Sequence, residues 1–149
     1  MWCYRTPRSG FTIIELMITT AIVAMIAVLS FSAYQSFQVK NDLDIAVNTI
    51  VQSLRRAQTL AQASDGDMSW GVKVQSGSIV LFGGASFSAR DAAYDESFDL
   101  PSPITLAGVT EVVYAKFTGV PQTTGTTTLT TTTNESRTII LNSKGTLTY

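Results

Sequence analysis

One carboxylate stands where carboxylates are costly. Glu15 is the only formally charged residue between Arg8 and Lys40, and it opens the uncharged run 16–39. An acid at the centre of a membrane-spanning helix costs about 2.5–3.5 kcal/mol on insertion scales. Near a helix end the cost is smaller, but the carboxylate still calls for a cationic partner. The chemistry offered is ion pairing in a low-dielectric setting rather than catalysis. A second acidic group lies in 90–99, RDAAYDESFD, with Asp91, Asp95, Glu96 and Asp99. Calcium takes about six to eight oxygen ligands, and such a segment could supply several. The spacing matches no EF-hand, so the segment reads as a solvated acidic loop. Asp65 and Asp67 flank Gly66 and read as turn formers. The chain has no histidine and a single cysteine, Cys3. Neither the usual zinc ligand sets nor an internal disulfide framework can be built from that inventory. No catalytic set, metal or other cofactor is expected.

Glu15 must be positioned by the element that follows it. The run from Leu16 to Val39 has no proline or glycine, and its apolar side chains surround the axis rather than forming a stripe. About 20 such residues at about 1.5 Å each cross a hydrocarbon core of about 30 Å. Arg5 and Arg8 precede the run with no acidic residue nearby, which keeps the start cytoplasmic and exports the rest. An ordinary secretory signal also has a basic start and an apolar stretch, with cleavage after it, here near 30–36. The length of the run and the carboxylate at its head both disagree with that alternative.

The stretch Arg8-Ser9-Gly10-Phe11-Thr12-Ile13-Ile14-Glu15-Leu16 resembles the processing motif of type IV prepilins. The resemblance implies cleavage after Gly10 by a membrane-embedded prepilin peptidase, which then methylates the new amine of Phe11. It assigns Glu15, the fifth mature residue, to subunit assembly. The implied partners are the peptidase, other pilin or pseudopilin subunits, an inner-membrane assembly platform, and lipid before assembly. Removal of residues 1–10 would also remove Cys3, leaving no thiol nucleophile. A cut placed before the apolar run keeps that run on the mature protein and creates a cation one helical turn from Glu15. Within one subunit the helix N-terminus favours the anion. Between subunits, the Phe11 amine could pair with Glu15 of a neighbour and set axial register, because an unpaired charge in such a bundle is expensive.

The helical pattern continues beyond the membrane-like run. Val39, Leu43, Ala46, Val47, Ile50, Leu54, Ala57 and Ala61 follow three- and four-residue steps, one face of an amphipathic helix. Arg55 and Arg56 read as part of the solvated face. The spacing predicts one helix from about Phe11 to Ser64, on the order of 80 Å long, stopped by Asp65-Gly66-Asp67. Beyond Gly66, short β-prone runs alternate with turn residues. Residues 70–74 and 79–82 read as a hairpin around Ser76-Gly77, 111–117 as a strand, and 126–132, 138–141 and 146–149 as a meander. The threonine-rich 123–133 suits a strand surface, and Trp70 reads as core. The predicted fold class is α+β: a long N-terminal helical spine, transmembrane then amphipathic, packed against a small antiparallel sheet. The segments are 1–10 leader, 11–39 transmembrane and filament-core helix, 40–65 amphipathic helix, and 66–149 β-rich head.

Leu54-Arg55-Arg56-Ala57-Gln58, Trp70-Gly71-Val72, Phe117-Thr118-Gly119, and Arg137-Thr138-Ile139-Ile140-Leu141 with Gly145 resemble the minor pilin and pseudopilin group of the type II secretion H subunit and FimT-like proteins. FimT-like subunits for DNA uptake are expected to carry a basic C-terminal stretch, where this chain has only Arg137 and Lys144. With a net charge of −1 and no basic cluster, nothing argues for nucleic-acid binding. The chain therefore reads as a structural filament subunit, not an enzyme. It would wait in the inner membrane with its head outside the cytoplasm, then enter a periplasmic or extracellular filament. The alternative is a membrane-anchored extracytoplasmic binding domain that does not polymerise. Mass spectrometry of the purified protein is expected to find Phe11 at the N-terminus, carrying one added methyl group. An N-terminus at Met1, or one near 30–36, contradicts this reading.

Overall fold

The computed structural model describes residues 10–101 and 104–149, with the backbone but not the side chains of 29–33. The leader residues Cys3, Arg5 and Arg8 therefore lie outside the described residues. The chain divides into two compact units, Met1–Gln38 and Val39–Tyr149. A single helix, α1, runs Ile13–Ala63 for 51 residues. No glycine or proline occurs between Phe11 and Asp65, so nothing in the backbone interrupts it. Its end is set by conformation: Ser64 (φ 55°) and Gly66 (φ 64°) are both left-handed, which closes a helix C-terminus.

The strands are β1 (Trp70–Gln75), β2 (Ser78–Gly84), β3 (Arg90–Asp99), β4 (Ile104–Gly108), β5 (Glu111–Tyr114), β6 (Gly125–Thr131), β7 (Ser136–Leu141) and β8 (Leu147–Thr148). They form two antiparallel sheets rather than one, in the orders β3-β2-β1-β5 and β4-β6-β7-β8. In the first, Val72 faces Leu81 on one side and Val112 on the other. In the second, Leu129 lies between Leu106 and Arg137. The expected hairpin at Ser76-Gly77 is present, with Gln75 opposite Ser78 and Gly77 at φ 83°. The 126–141 strands and their return at 147–148 form the expected meander, and the threonine-rich stretch is largely β6.

In the unit Val39–Tyr149, one stripe of α1 supplies the core. Leu43, Ala46, Val47, Ile50, Val51, Leu54, Ala57 and Ala61 are all buried, whereas Ile45, off the stripe, is 46% exposed. They join one apolar cluster with Val72, Leu81 and Tyr114 of the first sheet and Leu129, Ile139 and Leu141 of the second. A fully buried aliphatic side chain contributes about 1.5–3 kcal/mol, so this stripe accounts for the attachment of both sheets. Trp70 is buried, as read from its position, and its indole Nε1 donates to the Asp65 carbonyl at 2.9 Å.

Two expectations are corrected. The acidic 90–99 is a strand, β3, on the edge of the first sheet, not a loop. Pairing with β2 supplies its backbone bonds, and charged side chains suit an edge strand because they discourage further pairing. The strand expected over 111–117 stops at Tyr114. The chain turns there because the Phe117 N–H donates to the Ala61 carbonyl at 2.9 Å, satisfying a helix-end acceptor that would otherwise be an orphan. The turn forces Phe117 to φ 66°, a left-handed geometry that costs a side-chain-bearing residue about 1–2 kcal/mol.

Tyr114 lies wholly inside the core with no hydrogen-bond partner for its Oη among the described residues. Burial pushes its phenol up to about 12 from the ordinary 10. A raised folded-state value stabilises below about pH 10 and is lost as pH climbs through about 12, because the unfolded chain releases the proton first. Chemical denaturation is expected to show a Tyr114-dependent loss of roughly 2–3 kcal/mol across that window. Tyr114→Phe should remove this alkaline step and change stability at neutral pH by less than about 1 kcal/mol, since the hydroxyl it deletes is unpartnered.

Candidate functional site

The residues singled out for ion pairing stand at the start of α1. Gly10, Phe11 and Thr12 precede the helix, and Phe11 is 82% exposed. The Glu15 backbone N–H donates to Thr12 Oγ1 at 3.3 Å, and the Leu16 N–H to the Thr12 carbonyl at 3.2 Å. Thr12 is thus the N-cap, and Glu15 sits at the third helical position. Thr12-Ile13-Ile14-Glu15 has the spacing of a capping box. The motif does two jobs with the same residues: it starts the helix, and it fixes how far the carboxylate lies from the Gly10–Phe11 bond. Sequence reasoning passed over Thr12, although threonine three residues before glutamate is a readable signal for a helix start.

The carboxylate of Glu15 lies in the first turn, where the helix dipole favours an anion. It has no ion-pair or hydrogen-bond partner among the described residues, while Arg5 and Arg8 lie outside them. The neighbouring polar side chains are spent internally. Thr19 Oγ1 donates to the Leu16 carbonyl at 3.0 Å, and Thr20 Oγ1 to the Leu16 and Met17 carbonyls at 2.9 and 3.0 Å. Such back-bonding lets hydroxyls sit in an apolar medium without outside partners. Over 13–28 this leaves Glu15 as the polar side chain without a partner among the described residues. Ile13, Ile14, Met17, Val23, Met25 and Val28 are each more than 60% exposed, an apolar surface with no cover among the described residues. Among the described residues no helical stretch is long and apolar enough to cross a membrane. The described apolar part, 13–28, falls short of the roughly 20 residues a span needs, and the side chains of 29–33 that would extend it are outside the description.

The head motifs converge at the other end of α1. The Gln58 Nε2 donates to the Gly119 carbonyl at 3.1 Å, and a Cβ on Gly145 would meet that same nitrogen at 2.3 Å. A Cβ on Gly119 would lie 2.5 Å from Gln62 Cγ. Gly119 and Gly145, both left-handed, are therefore the points where two loops close onto the helix. Arg55 and Arg56 are not simply solvated: Arg55 lies 5.9 Å from the Tyr149 ring centre, and Arg56 pairs with Glu96 at 2.6 Å. Arg137 pairs with Asp44 at 3.1 Å and Lys40 with Glu135 at 3.3 Å. These pairs are largely exposed, so each contributes at most about 1 kcal/mol. Within 90–99, Asp95 pairs with Arg90 at 2.7 Å. Among the described residues no group of three or more acidic, histidine or cysteine side chains is arranged to hold a metal ion. The left-handed Phe117, held 68% exposed, had no sequence signal, because it follows from where a helix end and a loop meet.

Residues 5–31 match the family model for the prokaryotic N-terminal methylation motif, the leader and helix start of type IV pilin and pseudopilin precursors. No curated protein and no solved structure matches the chain. Proteins that carry this motif are structural subunits rather than enzymes, and the motif marks a membrane-anchored precursor processed by prepilin peptidase. Thr12→Ala is expected to weaken the first turn by about 1 kcal/mol. Hydrogen exchange at the Glu15 amide, followed in detergent micelles, should speed up roughly fivefold, and Thr12→Ser should restore the slower rate.

Proposed function

We propose that this chain, a membrane-anchored precursor of the type IV pilin and pseudopilin kind, is a structural subunit of a type IV pilus-like or type II secretion filament. The observation that carries this reading is Glu15. It is an acid with no partner among the described residues, in the first turn of an apolar helix, four residues after a bond that prepilin peptidase cuts in proteins with this motif. Before cleavage the apolar run anchors the chain once in the inner membrane, with the head outside the cytoplasm. Cleavage after Gly10 frees the Phe11 amine, and methylation leaves it cationic. The amine then lies just ahead of the Thr12 cap. In a bundle of such helices it pairs with Glu15 of a neighbour, which satisfies both charges and selects one axial offset between subunits.

The exposed apolar ring of 13–28 supports the same reading. It is comfortable in lipid and equally comfortable against other copies, so transfer from membrane to filament core needs little net desolvation of the apolar surface. The charge that moves with it is what makes the transfer specific. The head supports a minor pilin or pseudopilin of the H-subunit and FimT-like group. Gln58, Gly119 and Gly145 of the motifs that suggest that group meet in space. Its C-terminal surface offers Arg137, already paired with Asp44, and Lys144, which does not favour DNA capture.

Glu15→Ala deletes the acid and leaves the neighbouring amine buried without a partner, a loss of about 3–5 kcal/mol for a broken buried pair. Membrane insertion should be unchanged, while recovery in sheared surface fibres should fall roughly a hundredfold or more. Equal recovery of the variant and the unaltered chain would sink the register role of Glu15. Absence of the unaltered chain from fibres points instead to an anchored binding domain that does not polymerise.

A further inference from the structure

Two surface features of the unit Val39–Tyr149 complement each other but cannot meet within one chain. The first is a protrusion. Phe117 is 68% exposed and left-handed at φ 66°, and its backbone is pinned by the bond from its N–H to the Ala61 carbonyl. An aromatic ring is therefore held outward at the cost of backbone strain, with the Lys116 ammonium over it at 4.6 Å from its centre. The second is a cavity of about 140 Å³ lined by Thr49, Gln52, Ser53, Arg56 and Phe98. A cavity of about 150 Å³ is known to hold one benzene ring. Its chemistry also suits an aromatic guest. Thr49 and Ser53 donate their hydroxyl protons to the Ile45 and Thr49 carbonyls, each at 2.8 Å, so neither has a proton left to donate to a guest. Phe98 adds apolar lining, and Arg56, half-exposed and paired with Glu96, offers a cation to a π face.

The two features lie on opposite flanks of the buried stripe of α1. Thr49, Ser53 and Arg56 recur at helical spacing on one flank, beside β3. Gln58 and Gln62, which hold the Gly119 end of the Phe117 loop, lie on the other. Along the axis, the cavity and the Ala61 anchor are separated by roughly 13 Å at 1.5 Å per residue. A knob and a hole on different faces of one subunit form a heterologous contact, which builds a helical assembly when its rotation does not close into a ring.

We infer that Phe117 of one copy seats in the Thr49–Ser53–Arg56–Phe98 cavity of a second copy of this chain. The contact links heads side by side with an axial step. The inference rests on the filament reading above, and it assigns that filament a head-to-head contact in addition to the Glu15 pairing.

Disulfide linking in the full-length protein tests it, in membranes and in sheared fibres, in a Cys3→Ser background that removes the only native thiol. Phe117→Cys combined with Gln52→Cys should give a ladder of dimers, trimers and longer species on mild oxidation. The two single variants co-produced should stop at dimers, and each alone should give no linked species. Dimers from either single variant alone overturn the inference, as does linkage to a different protein. Fibres that form without a ladder overturn the contact and leave the filament reading intact, whereas failure of the unaltered chain to form fibres removes both. Phe117→Gly separates assembly from folding, because it relieves the left-handed strain while deleting the ring. Its melting temperature should be unchanged or higher, with fibre yield down roughly tenfold or more. A melting temperature lowered by several degrees, with fibre yield unchanged, overturns the inference.

Discussion

Burial of one stripe of α1 is the constraint around which the unit Val39–Tyr149 is arranged. A single helix cannot hide Leu43, Ile50, Leu54 and Ala61 from water by itself, and neither four-stranded sheet has a second layer of its own. Each sheet contributes one apolar face to the same cluster, so helix and sheets stabilise one another or none is stable. The small residues Ala57 and Ala61 are buried completely, beside Gln58 and Gln62, where the loops at Gly119 and Gly145 come close to the helix. Substituting larger side chains there would lift the sheets from the stripe.

That packing carries polar costs, and the structure settles most of them locally. The Ala61 carbonyl receives the Phe117 N–H, the Asp65 carbonyl receives the Trp70 indole, and the Gly119 carbonyl receives the Gln58 amide. Tyr114 is an exception, a buried phenol whose oxygen, like Ser64 Oγ and Asp95 Oδ1, finds no partner among the described residues. The left-handed Phe117 belongs to the same account: its strain is what satisfying a helix end demands of the loop. In a water-facing subunit that strain yields nothing beyond the cap. In an assembly it also presents an ordered aromatic ring.

At the start of α1 the arrangement is different in kind. Thr12, Thr19 and Thr20 direct their side-chain bonds to their own helix, while the Glu15 carboxylate has no partner among the described residues. A helix that satisfies every polar group but one is stable in an apolar medium only when that one is neutral or partnered. The capping spacing between Thr12 and Glu15 ties helix initiation to the position of the acid, so the same four residues set both.

Much of this was legible in the sequence because it depends on local chemistry. An uninterrupted apolar run, a change from all-round to one-sided hydrophobicity near Val39, and Gly66 after it determine one long helix whatever surrounds it. The alternation around Ser76-Gly77 and the threonine-rich β6 likewise determine strands through propensity and turn chemistry. Glycine ahead of phenylalanine, with glutamate five residues on, is the pattern of the N-terminal methylation motif matched over 5–31, and it is read without reference to the head. Tertiary structure alone decided the rest. Residues 90–99 look like an acidic loop by composition, yet they become an edge strand because β2 has a free side to pair with. The strand after Glu111 ends at Tyr114 because the Ala61 carbonyl, more than fifty residues earlier in the chain, needs a donor. Two sheets rather than one, the burial of Tyr114 and the outward ring of Phe117 all follow from contacts between residues distant in sequence. No local pattern encodes such contacts, since their free energy exists only once the helix and both sheets are already in place.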